Sequence, residues 1–142
     1  MIYRTLALAA ILGTPAMLAA ETPNVEPGMW EYESEMTYEG DVPIPDQTDT
    51  VQECVTQEEI EQGDAFLDTD DMDGCEMTHS DIRSDGMDYT MECEEEGSSI
   101  VMEAEMEFMG DRTRGVITGD MDTPMGPVRM NIEMEGHRVG DC

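Results

Sequence analysis

Within the stretch from Ser99 to Asp120, apolar and acidic residues take strict turns from Met102 to Phe108. Met102, Ala104, Met106 and Phe108 alternate with Glu103, Glu105 and Glu107, a period of two that fits a strand with one buried and one wet face. A helix would scatter the same residues around its circumference. Gly110 and Asp111 then supply a two-residue turn. That turn pairs Met109 with Arg112 and sets Arg114 opposite Glu107, so the returning strand answers the acidic face with cations.

The alternation recurs on both sides of this hairpin. From Gly28 onward Trp30, Tyr32, Met36 and Tyr38 share one parity while Glu31, Glu33, Glu35 and Glu39 take the other. Pro43 and Pro45 mark a loop, and a shorter strand resumes over 48–56. Thr56-Gln57-Glu58-Glu59 matches a capping box, which predicts a short helix over 57–62 ended by Gly63. The acidic connector 64–74 contains Phe66 and Leu67, which are expected to reach the core. Residues 75–83 and 87–95 read as a hairpin, in which a type I turn at Ser84-Asp85 with Gly86 left-handed pairs Arg83 with Met87. Met87, Tyr89, Met91 and Cys93 then share a face. After a Pro-Gly turn at 123–126, Met130, Ile132 and Met134 line the inner side of a last strand over 128–135, and a tail runs to Cys142. The expectation is a mainly β fold, an antiparallel meander curled into a small open or closed barrel rather than a two-sheet sandwich, with one short helix near 57–62.

The first residues belong to a different pattern. Arg4 precedes the apolar run 6–12 and small residues ending at Ala19-Ala20, the form of a secretory signal peptide cleaved near Ala20. Residues 1–20 are therefore read as a leader and 21–142 as a single disulfide-stabilised β domain. No cysteine lies near the cleavage point to carry a lipid anchor. A periplasmic or secreted monomer with no membrane anchor is expected.

Charge narrows the partners. Beyond the leader the chain has five arginines, no lysine and 35 acidic residues, a formal charge of −30. Nucleic acid is excluded, because a phosphate backbone demands the opposite sign. Cations, cationic peptides and plain solubility remain. Leu, Ile, Val and Phe together supply only 17 residues after the leader, few enough to suggest disorder. Thirteen methionines, mainly on the inner parities, and four cysteines argue for a folded domain instead.

Cys54, Cys75, Cys93 and Cys142 allow three pairings and contain no C-x-x-C pair. In the hairpin register above, Cys75 lies opposite Glu95 and Cys93 opposite Met77. The expected bonds are therefore Cys54 with Cys75 and Cys93 with Cys142.

Three kinds of chemistry compete with plainer explanations. Thioethers are soft copper(I) ligands, yet these methionines alternate with carboxylates as a packed face would. Asp68, Asp70, Asp71 and Asp73 precede Gly74 in the manner of a calcium loop, but alignment on that glycine puts Thr69 and Ser80 at required ligand positions. His79 and His137 are the two histidines, and no nucleophile elbow or phosphate loop accompanies them.

The stretches Pro27-Gly28-Met29-Trp30-Glu31 and Gln52-Glu53-Cys54-Val55-Thr56-Gln57-Glu58-Glu59, with Gly74-Cys75, Met91-Glu92-Cys93 and the terminal Gly136 to Cys142, resemble the small exported bacterial family called domain of unknown function 3617. That resemblance implies a periplasmic, methionine-rich, mostly β protein and carries no established activity or site residues. The chain differs from the usual pattern in having no lysine. Together these features lead to the expectation of a non-enzymatic binding or interaction module for an apolar ligand or a protein partner. Trp30, Tyr32, Tyr89 and Phe108 are its expected ligand-facing residues, and no cofactor or metal is expected. The alternative is an acidic buffer for calcium or another divalent cation, or for copper.

Overall fold

The computed structural model describes residues 21–63, 74–95 and 98–142. Residues 1–20, expected to be a leader, the connector at 64–73 with its aspartates, Phe66 and Leu67, and Glu96-Gly97 lie outside the described residues. In chain order the elements are β1 (Gly28–Gly40), β2 (Gln47–Val55), α1 (Gln57–Gln62), β3 (Cys75–Ile82), β4 (Gly86–Glu95), β5 (Ser98–Phe108), β6 (Arg112–Thr123) and β7 (Gly126–Gly140).

The strands form one antiparallel sheet of order β2-β1-β7-β6-β5-β4-β3. From β3 to β7 it is the expected meander. The β1–β2 hairpin then joins the end of that meander, because β1 pairs with β7 along almost its whole length. Edges β2 and β3 are not bonded to each other, so the sheet stays open and the closed barrel does not form.

The helix forms where its cap predicts. The Thr56 hydroxyl accepts from the Glu59 amide at 3.3 Å, and the Glu59 carboxylate accepts from the Thr56 amide at 2.7 Å. The Thr56 hydroxyl also donates to that carboxylate at 2.7 Å, and this bond, with the one from the Thr56 amide, holds the Glu59 carboxyl below its usual range. Gly63 ends the helix at φ 77°, a left-handed conformation that glycine adopts without strain.

One end of the inner face is closed. Ile60 of α1 packs with Val25, Trp30, Tyr32, Val55, Met87, Met106 and Phe108. The lead-in before β1 crosses the same end: Asn24 donates its amide to Ser84 and accepts from Gly110, and Glu26 donates to Gly110. Trp30 is wholly buried, stacks on Tyr32 at 6.0 Å and donates its indole N–H to Glu26 O at 2.8 Å.

The Gly110-Asp111 turn sets Glu107 opposite Arg114, as its two-residue length requires. The β3–β4 hairpin departs from expectation. Arg83 donates to Gly86 O, so Ser84-Asp85 alone make the turn and Ile82, not Arg83, faces Met87. Gly86 lies inside β4, where its Cβ would stand 2.4 Å from Met106 O; close approach of β5, not a left-handed turn, requires glycine there. A bulge between Met77 and His79 shifts the register again and brings Cys75 opposite Cys93.

Both disulfide expectations are therefore corrected. Cys75 bonds Cys93 across the hairpin, and Cys54 bonds Cys142. The second follows from the sheet order. Gly140 pairs with Met29 and Met29 with Cys54, so the tail of β7 arrives at the end of β2.

Candidate functional site

Because the strands other than β2 largely alternate, the sheet has two chemically opposite surfaces. On the inner one, successive rungs can be followed from strand to strand. One runs Tyr32, Gly136, Thr113, Phe108; the next Ser34, Met134, Gly115, Met106, Met87, Ile82. Further along, Tyr38, Met130, Gly119, Met102, Met91 and Met77 cross six strands in register.

The glycines of β6 explain how these methionines fit. A Cβ at Gly119 would stand 3.1 Å from Met130 Cε and 3.5 Å from Met102 Cγ, and one at Gly115 would stand 3.1 Å from Met106 Cγ. Thioether chains from β5 and β7 therefore lie across β6 in the space its missing side chains leave. Unbranched methionine suits such an irregular bed.

The two ends of this surface differ in exposure. Met87 and Met106 are buried beneath α1 and the lead-in. Tyr38, Met77, Met102 and Met130 remain half-buried. Of the four residues expected to face a ligand, Trp30, Tyr32 and Phe108 lie in the closed cluster and Tyr89 packs against it, half-buried. All four share the inner surface. Burial, with Glu53 nearby adding to it, pushes the Tyr32 hydroxyl up to about 12. Among the described residues that hydroxyl is a buried donor with no hydrogen-bond partner. Burial likewise raises the Tyr89 hydroxyl.

The outer surface is acidic and its charges are not sorted. Glu33 stands opposite Glu135, Glu35 opposite Glu133, Glu105 opposite Asp88, and Glu92 opposite Glu76. Like charges in facing positions are destabilising. Arginines relieve part of this. Arg129 grips Asp120 through two bonds of 2.8 and 2.9 Å, and Arg83 lies 2.6 Å from both Asp81 and Asp88. Arg129 thereby holds the Asp120 carboxyl below its usual range, and Arg83 does the same to Asp88.

A groove of about 640 Å³ runs over β2, β1, β7 and β6, lined by Glu33, Glu35, Glu133 and Glu135 with Thr48, Thr50 and Arg114. Arg114 approaches Glu135 at 3.6 Å. The sequence does not point to this groove, because it exists only where β1 meets β7. The signals for that meeting are the matching alternation of the two strands, with Cys142 just past β7 and Cys54 at the end of β2, the strand that pairs with β1.

His79 on β3 and His137 on β7 are separated by three strands, and His137 lies 3.6 Å from Glu31. Among the described residues no three His, Cys, Asp or Glu side chains converge as metal donors. Nor, among them, is any helix long and apolar enough to cross a membrane.

A family model described as "Protein of unknown function (DUF3617)" matches residues 25–142. No curated protein and no solved structure matches the chain.

Proposed function

The chain belongs to the DUF3617 family, and we propose that it is an exported, non-enzymatic binding module that holds an apolar ligand on the open half of its inner surface. The observation that carries this reading is the rung of Tyr38, Met130, Met102, Met91 and Met77 laid over Gly119. Flexible, polarizable thioethers adapt to ligands of differing shape, and a curled sheet offers them from several strands at once. Trp30, Tyr32, Tyr89 and Phe108 back that surface from the closed end.

The apolar leader at 1–20 and two disulfides support export, since an oxidising compartment lets such bonds persist. A monomer suits a chain carrying this much like charge. The facing carboxylates support a second reading, a buffer for divalent cations, which a calcium titration separates from the first.

Methyl-labelled methionine makes the test direct. On addition of the apolar dye N-phenylnaphthylamine, the methyl resonances of Met77, Met102 and Met130 should move while those of buried Met87 and Met106 hold still. Movement confined to Met109 and Met125, which are 45% and 71% exposed, would reduce the binding to surface adsorption and end this reading. Native mass spectrometry of protein from its own cell envelope would then identify the ligand.

A further inference from the structure

The two edges of the sheet are protected unequally. Edge β3 carries a bulge and is tied to β4 by the Cys75–Cys93 bond. Edge β2 pairs with β1 in unbroken register from Gln47 to Val55, with no proline, lysine or bulge inside it. Its residues 47–53 are all exposed, and Val51, midway along, is 49% exposed. Natural edges of this length are usually blunted, and the device on β2 is charge alone: Asp49 and Glu53 on its inner side bar another acidic strand but not a basic one.

The ladder identifies which backbone groups are unpaired. Arg138 turns its amide to Asp111 O, on the β6 side. Alternation then turns the odd residues of β7 and β1 towards each other and the even residues of β1 towards β2. In β2, Asp49, Val51 and Glu53 therefore face β1, while Thr48, Thr50 and Gln52 point outward. The outward Thr50 amide is held by the neighbouring Asp49 carboxylate at 2.9 Å. Among the described residues nothing bonds the outward amides of Thr48 and Gln52.

We propose that β2 is a docking edge for an extended polypeptide segment with basic side chains at alternate positions, added as an eighth, antiparallel strand. The amides of Thr48 and Gln52 and the outward carbonyls of Thr48, Thr50 and Gln52 would supply the pairing. Charge selects the occupant. Side chains of the added strand that point to the outer surface lie beside the groove containing Glu33, Glu35, Glu133 and Glu135, and those pointing inward meet Asp49, Val51 and Glu53. A second copy of this acidic chain is repelled by the same charges, whereas lysine or arginine relieves carboxylates that now face one another. This inference stands apart from the inner surface and does not depend on it.

The probe is a short synthetic peptide alternating lysine with valine, with a glutamate-valine peptide as control. Binding of the lysine peptide should slow hydrogen exchange at the amides of Thr48 and Gln52, and leave those of Val51 and Glu53, already paired, unchanged. Gln52→Pro removes an outward donor while sparing the ladder to β1; it should weaken binding about tenfold. The double variant Glu33→Gln, Glu35→Gln should bind less tightly at low salt and with a shallower salt dependence. Binding without slowed exchange at Thr48 and Gln52 would overturn the proposal in the wild-type protein, whatever the fate of the proline variant. Equal affinity for the glutamate peptide, or no binding of the lysine peptide, would overturn it too.

Discussion

The ring of Tyr32 lies across Gly136, its register partner on β7, so closely that a Cβ there would stand 2.6 Å from two ring carbons. The same Cβ would stand 2.5 Å from Thr113 Oγ1 on the other side. Thr113 is itself buried, so neither neighbour can swing into water. Gly136→Ala should therefore overpack this rung and cost about 1–3 kcal/mol, measured by urea unfolding. Unchanged stability would mean that the Tyr32 ring is not held where the structure places it.

The Tyr32 hydroxyl gives a prediction of opposite sign. Among the described residues this buried donor has no partner, and such a group carries its desolvation cost uncompensated, about 1–3 kcal/mol. Tyr32→Phe keeps the stacking on Trp30 and removes that cost, so the variant should melt higher than the wild type. A lower melting temperature would reveal a partner for the hydroxyl, such as an ordered water.

Peptide mapping without reduction should recover Cys54 joined to Cys142 and Cys75 joined to Cys93, with no free thiol. Their separations of 88 and 18 residues imply different losses when each pair is replaced by serine. Loop-closure entropy gives about 4–5 kcal/mol for the longer loop and about 3 kcal/mol for the shorter. Thermal unfolding of the two double variants should therefore rank the Cys54–Cys142 variant as the less stable. The reverse order would place the effect in the native state instead of the unfolded chain.

That pairing also shows where the sequence stops being legible. The inner residues of each strand can be read from local alternation, since Met102, Met106, Met130 and Met134 need only a period of two to be assigned a side. Opposition across strands is a different kind of information. Ser84-Asp85-Gly86 suits a loop of either two or three residues, and the choice, with the bulge near Thr78, moves Cys75 from Glu95 to Cys93. Nothing local reports that β1 meets β7, a contact between chain segments about a hundred residues apart. The outer groove, built on Glu33 and Glu135, depends wholly on that contact. The helix, by contrast, was predictable to the residue, because Thr56, Glu59 and Gly63 carry its start and stop within one short stretch.

The Asp120–Arg129 pair predicts a pH response. With Arg129 in place the Asp120 carboxyl titrates below its ordinary range, whereas in the unfolded chain it titrates near about 3.9. A depressed folded pKa contributes stability that is present above the unfolded value and lost as pH falls through the folded one. In Arg129→Gln the Asp120 carboxyl should move up towards the ordinary range, seen as a later loss of its proton in a carbon-detected NMR titration. Identical midpoints in the two proteins would mean that the two bonds do not persist in solution.

The last prediction separates the two readings of the charge. If the acidic surface were a calcium buffer, ion binding to the folded state would stabilise it by mass action, and micromolar calcium would raise the melting temperature by many degrees. Sodium chloride at the same ionic strength would not. If the carboxylates only repel one another, any salt shortens the reach of that repulsion, to about 10 Å at 0.1 M. Facing pairs such as Glu33 with Glu135 and Glu35 with Glu133 are much closer than that, so screening relieves them incompletely and the rise should be modest. Among the described residues the carboxylates do not converge as donors around a point, which favours general screening. We therefore expect calcium and sodium chloride to give equal, small shifts at matched ionic strength. A large calcium-specific rise would put the cation buffer ahead of apolar binding, and the next step would be to find which carboxylates hold the ion.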